Sequence, residues 1–325
     1  MKRNNKLTFI DLFAGIGGFH ISFHDQGAKC VFVNEFNPHS KKTYENYFKK
    51  IEPSLFLDDK KSENYWRDIT EITLSKYEKT PQPESAWAPH IRNIIPKFDI
   101  LCAGFPCQPF SQAGYKKGFD DARGTLFFDI LRIIKAREPS AIFLENVKNL
   151  AMHDNGRTFE TIRRHLNEIG YEVPDEQGKN WKIVKASDHG LPTNRPRVFI
   201  VAFHKRVKNR DKFKFPEPIV KKTSLRDMFG SEWPDKIGYT LRVGGAGSGI
   251  NDRRNWDAYL VNGKPHRITP TEGLRMMGFP SDFVFPSDVS NVQALKQLGN
   301  SVAVNGIRAT AKNIISILKD RPTDK

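Results

Sequence analysis

Between residues 7 and 203, short apolar runs alternate with amphipathic stretches, and few folds accommodate that alternation. The runs at 7–12, 29–34, 98–103, 140–145, 181–186 and 197–203 have the length and composition of buried strands. The stretches 17–26, 38–48, 125–137 and 157–169 read as helices; in the last, Phe159, Ile162, Leu166 and Ile169 form one apolar face, which is core rather than a site. Strand–helix repetition predicts βαβ units, and so an α/β, Rossmann-like, doubly wound and mostly parallel sheet. Beyond residue 203 the character changes. Pro216, Pro218, Pro234 and the glycine-rich 244–249 break regular structure, while 239–243 and 259–261 read as short strands. A smaller loop- and strand-rich domain is expected over 204–296, beside a larger one made of 1–203 and 297–325. The helical pattern at 301–318 packs back on the larger one.

The chain carries 52 Lys and Arg against 37 Asp and Glu, a net charge of +15, which makes nucleic acid the leading partner. The excess is densest after residue 203, including Lys205, Arg206, Lys221, Lys222, Arg253 and Arg254. Three cysteines, at 30, 102 and 107, cannot build a disulfide framework, and they lack zinc spacing; no metal is expected. No apolar segment is long enough for a signal peptide or a membrane span, so a soluble, cytoplasmic protein is expected.

Two segments carry chemistry. Cys107 sits in Gly104-Phe105-Pro106-Cys107-Gln108-Pro109-Phe110-Ser111, directly after the apolar run 98–103. The prolines fix φ and withdraw donors, so the chain can neither continue the strand nor enter a helix, and the thiol is held on a stiff loop. In a parallel α/β sheet that loop lies at the carboxyl end of a strand, where ligands bind. The second segment, Asp11-Leu12-Phe13-Ala14-Gly15-Ile16-Gly17-Gly18-Phe19, is a strand, a glycine-rich turn and a helix start, suited to a nucleotide-like cofactor. Glu35, ending the second strand, stands where such folds hold ribose hydroxyls, and Phe36 offers a stacking face. Asp68, after a third strand, either accepts from an adenine amino group or caps the helix that begins near Ile69.

With these residues in view the chain resembles the DNA cytosine-5 methyltransferases, nearly end to end. Glu145-Asn146-Val147, Arg195-Pro196-Arg197-Val198, Arg267-Ile268-Thr269-Pro270 with Gly278-Phe279-Pro280, and Gln297-Leu298-Gly299-Asn300-Ser301-Val302 match further family motifs in the family's order. The segments 118–130, 153–156 and 259–264 are similar to the bacterial GCGC-methylating type. The resemblance implies S-adenosylmethionine as cofactor, double-stranded DNA as substrate and a type II restriction-modification role. It also implies a monomer with no obligate protein partner. Phe13, Gly15, Gly17 and Gly18 would form the methionine-side loop, Glu35 would hold the ribose, Phe36 would stack on adenine, and Asp68 with Ile69 would read its edge. Pro106, Leu126, Asn300 and Val302 would close the pocket. Cys107 would add to cytosine C6 and Glu145 would hydrogen-bond N3. Arg197 would donate to O2, and Arg195 would support the thiolate or a phosphate. The target base would be flipped out of the duplex, with 111–118 closing over DNA.

DNA contacts are expected from Ser111, Gln112, Lys116 and Arg123, and in the recognition segment from Arg242, Ser248, Arg253 and Arg254, with Asn251 and Asn255 as further candidates. Three departures stand out. Phe36 replaces the family's usual Trp, Thr193-Asn194 precede Arg195 where Gln is common, and 58–96 is longer than in compact relatives. There Thr80-Pro81-Gln82-Pro83 and Trp87 read as a surface excursion or a partner contact. A tRNA cytosine-5 methyltransferase and a DNA-binding module without chemistry are the rival readings. The target sequence and the base that removes the C5 proton are not legible.

Overall fold

The computed structural model describes residues 6–56, 65–66, 68–78, 80, 82–106, 126–172 and 181–320. Strands β1 (Thr8–Leu12), β2 (Lys29–Asn34), β3 (Tyr65–Trp66), β4 (Ile100–Gly104) and β5 (Ala141–Val147) lie parallel in the order β3-β2-β1-β4-β5. β8 (Pro196–His204) is antiparallel to β5, and its other edge pairs with the short β6 (Tyr171–Glu172) and β7 (Lys182–Lys185). From β1 the chain moves outward to β2 and β3, then returns to place β4 on the opposite side of β1. That reversal makes the carboxyl ends of β1 and β4 the switch point of the sheet, where open α/β folds bind ligands.

Residue parity explains the layers. Phe9, Cys30, Ile100, Cys102, Phe143 and Phe199 face one side, packing against α1 (Gly18–His24) and α10 (Val304–Lys319). Ile10, Leu12, Leu101, Ala103, Ile142 and Leu144 face the other side, covered by α3 (Ile69–Ile72), α4 (Glu84–Ile94), α5 (Leu126–Arg137) and α6 (Arg157–Glu168). A sheet buried on both faces needs near-continuous apolar strands, as these are. Helix starts follow local chemistry. Asn37 caps α2 (Pro38–Phe48) through its side-chain oxygen, with Pro38 in the first turn.

One expectation is corrected here. Thr80, Gln82 and Pro83 are exposed, as a surface excursion requires, but Trp87, inside α4, is 2 % exposed, with the Arg132 guanidinium 5.2 Å from its ring centre. Proline-rich sequence concealed a helix start, because proline is tolerated at helix entry.

Residues 204–296 contribute α7 (Leu225–Phe229), the antiparallel ribbon β9 (Ala258–Val261) and β10 (Lys264–Arg267), and α8 (Pro270–Met277). The 239–243 stretch, read as a strand, is irregular; beside it the isolated bridge Thr193–Gly238 and hydrogen bonds such as Thr193 to the Tyr239 carbonyl tie it to the segment before β8. Trp233, Trp256, Tyr259 and Met276 belong to the same buried cluster as Ile307 and Ile314 of α10, so this segment shares its core with the sheet rather than enclosing one of its own. α9 (Asn291–Asn300) leads into α10. No described helix is long and apolar enough to cross a membrane.

Candidate active site

After β1 the backbone turns through left-handed residues: Phe13 at φ 56°, Gly15 at 56° and Gly17 at 88°. Gly17 caps α1, and a Cβ there would stand 2.2 Å from the Phe48 ring; at Gly18 it would stand 2.5 Å from Val302. Neither position admits a side chain. Above Gly15, in contrast, a Cβ would meet nothing within 4 Å, so the loop borders open space. Glu35 joins this loop to the next strand: its carboxylate accepts from the Gly15 N–H at 2.7 Å and the Asn37 N–H at 2.6 Å. Burial raises its pKa against the pull of those N–H groups. Phe36 is 66 % exposed, an apolar ring presented at the loop. Asp68 caps α3, accepting from the backbone and hydroxyl of Thr70, with Lys76 against its other oxygen; Ile69 beside it is buried. Asp68 thus serves as the N-cap of α3.

Across the switch point, β4 ends at Gly104, directly beside Glu145 in register. A Cβ at Gly104 would meet Glu145 Oε2 at 3.5 Å and Val302 at 3.6 Å, so the Glu145 carboxyl leans over the strand end three residues before Cys107. Arg197 enters from β8 and places Nε 2.9 Å from Glu145 Oε1. The N–H is not aimed to make a good hydrogen bond, and Oε1 keeps its accepting capacity. Burial raises the Glu145 pKa, opposed first by Arg197 and then by Arg195. Asn146 was not anticipated: its amide donates to the Phe105 carbonyl at 2.9 Å, pinning the backbone two residues before Cys107 in sequence. An Asn directly after the acid in a strand-end motif was the only signal for it.

Arg195 departs from expectation. It is 2 % exposed and cannot touch a phosphate in this arrangement; its guanidinium donates to the carbonyls of Leu241 at 3.0 Å, Gly299 at 2.9 Å and Ser301. Burial, with Arg197 adding repulsion, lowers its pKa to about 9, so it remains a cation at neutral pH. It therefore ties the 241 segment and the Gln297–Val302 turn to the site. Replacement by Met is expected to cost about 3 kcal/mol or more in urea unfolding, since three buried carbonyls lose their donor. Lys should not restore it, because one ammonium lacks the forked geometry.

Val302 is 8 % exposed and lies between Gly18 and Gly104; Asn300 and Pro106 are exposed, and Leu126 opens α5 half-buried. Cys107, Ser111, Gln112, Lys116 and Arg123 lie outside the described residues. Of the recognition-segment candidates, Arg242 and Arg253 are exposed and Ser248 is half-buried. Arg254 is exposed yet paired with Asp252 at 2.7 Å. Asn255 is corrected. It is 6 % exposed, donates to the Ile250 and Ala258 carbonyls, and accepts from the Asp257 and Ala258 N–H groups. It shapes the loop and has nothing left for a base.

A glycine loop and a buried acid paired with arginine thus face one another across the switch point of a doubly wound sheet, the architecture of an enzyme. The family of C-5 cytosine-specific DNA methylases matches residues 7–244 and 246–316. The chain is 36 % identical to the type II methyltransferase M.HhaI of Haemophilus parahaemolyticus, covering 99 % of this chain and 98 % of that one. It is 39 % identical to the type II methyltransferase M.HpaII of Haemophilus parainfluenzae, covering 96 % and 90 %. Among solved structures, the Entamoeba histolytica methyltransferase EhMeth superimposes with a TM-score of 0.64 at 17 % identity, over 98 % of this chain and 100 % of that one. The chain belongs to the C-5 cytosine-specific DNA methylase family and is a DNA cytosine-5 methyltransferase.

Proposed function

We propose that this enzyme is the modification methyltransferase of a type II restriction-modification system, using S-adenosylmethionine to methylate C5 of a cytosine flipped out of duplex DNA. The observation that carries the reading is the Glu145–Arg197 pair leaning over Gly104, opposite the glycine loop. The cofactor loop fits the group: open space above Gly15, a carboxylate at Glu35 with lone pairs to spare, and an exposed ring at Phe36. When bound, the cofactor would supply an electrophilic methyl group, its S–CH3 bond breaking to leave a neutral thioether. Phe13, Gly15, Gly17 and Gly18 would cradle it, Glu35 would orient the ribose, and Phe36 would stack on the adenine.

Cytosine C5 is too electron-poor to attack that methyl directly. The Cys107 thiolate adds to C6, and electron density moves to C5 while Glu145 hydrogen-bonds N3 and offsets developing ring charge. Arg197 holds Glu145 and reaches O2. C5 takes the methyl, loses its proton to a base, and the C6–S bond breaks to return the thiolate. Arg195 serves as a positioning residue behind this pair.

Recognition is assigned to 204–296, with Arg242 and Arg253 reaching the duplex and Ser248 behind them. The test is incubation with methyl-labelled cofactor and, separately, duplex DNA and tRNA. Label should enter DNA, with bisulfite sequencing reporting the site; label confined to tRNA overturns the reading. Duplex affinity should fall about a thousandfold or more between 50 and 200 mM salt, as counterion release requires when some six or more phosphates are neutralised. A flat salt response would remove DNA from the role of partner.

A further inference from the structure

On the face of the sheet opposite α3–α6, one turn beyond the glycine loop, α1 carries His20 and His24 at a spacing of four, on one side of the helix. Just past the end of α2, Glu52 folds back against them. One ring nitrogen of each histidine and one Glu52 oxygen lie within 4.8 Å of one another, and His24 Nδ1 stands 3.6 Å from Glu52 Oε1. Tetrahedral zinc ligands sit about 3.3 Å apart, so the cluster is near coordination spacing before any adjustment.

The partners of His20 point the same way. The Tyr44 hydroxyl is hydrogen-bonded to His20 Nδ1. With Nδ1 engaged by Tyr44, Nε2 is the ring nitrogen open to a ligand. His20 is 0 % exposed, and its Nε2 has no partner. Its ring is fixed by stacking on Phe48 at 4.0 Å and by the Phe9 edge at 5.5 Å. A buried, unpartnered nitrogen in a rigid ring, oriented by a hydrogen bond at the other nitrogen, is how metal-binding histidines are held.

We propose that His20, His24 and Glu52 bind a zinc-class divalent cation, with water as the fourth ligand on the half-exposed His24 side. The expectation of no metal drawn from cysteine spacing is revised by a ligand set that only the fold assembles. The ion would fasten the helix that carries the cofactor loop to the segment following α2, so its role would be structural, and its test needs no methyl transfer.

The experiment titrates Co2+ into the chelator-treated full-length enzyme and follows visible absorption, then repeats thermal melting with and without equimolar Zn2+. One Co2+ per chain, with the intense bands of a four-coordinate site, and a higher melting temperature with Zn2+ are expected. His24→Ala and Glu52→Gln, both away from the fully buried ring, should each weaken Co2+ binding at least tenfold and abolish the zinc-induced rise. Absence of those bands in wild type, or bands retained in both variants through the other histidines, would overturn the site.

Discussion

Serine at position 107 is expected to lower methyl transfer by about 10^4-fold or more while leaving duplex binding nearly intact. In the proposed mechanism the Cys107 thiolate adds to C6, and a hydroxyl in its place is far less nucleophilic near neutral pH. Residual rate would come from binding and orientation alone. Filter binding and single-turnover methylation on the same preparation separate the two effects. Equal losses in binding and rate would show that Cys107 holds the loop rather than attacks the base.

The second large effect falls on Glu145→Gln, with an expected loss of about 10^2- to 10^4-fold in turnover. Burial raises the carboxyl in the folded enzyme, so a larger protonated fraction survives toward neutral pH, where it can donate to N3. Wild-type turnover should rise with thiolate formation and fall as Glu145 ionises; the falling limb should vanish in Glu145→Gln. Stability runs oppositely to the usual carboxylate case. A folded-state value above the unfolded one means the contribution is full below the unfolded value, about 4.3, and declines as pH rises through the folded value. Glu145→Gln should therefore melt no lower than wild type at pH 8, while its activity collapses. A melting temperature well below wild type would place Glu145 among structural ion pairs instead.

Much of this arrangement was legible because strands and their ends write themselves in local sequence. The run 98–103 became β4 at 100–104, and the glycine-rich turn after β1 has the positive φ that its residues permit. Family motifs assigned Glu145 and Arg197 to one site, but their direct pairing appears only in the fold, because it joins neighbouring strands distant in sequence. What escaped depends on tertiary neighbours. Arg195 reads as a surface cation in sequence, yet it is buried because three carbonyls from distant segments converge on it. Asn255 reads as a base contact, but a tight loop consumes both ends of its amide. Arg254 resembles Arg253 on paper and differs only by its pairing with Asp252. Trp87 sits four residues past a proline and was assigned to the surface, since nothing local says that α5 will cover it. His20, His24 and Glu52 are separated by a strand and a helix, and only the turn after α2 brings the carboxylate to the imidazoles.

The account rests on a covalent bond between Cys107 and a cytosine ring, and a duplex carrying 5-fluorocytosine at the methylated position tests it most directly. Fluorine at C5 cannot leave as a proton does, so the enzyme with its methyl donor should remain attached after boiling in detergent, with the modified peptide mapping to Cys107. Active enzyme that methylates the normal duplex but forms no such complex, or forms it at another residue, would contradict the account.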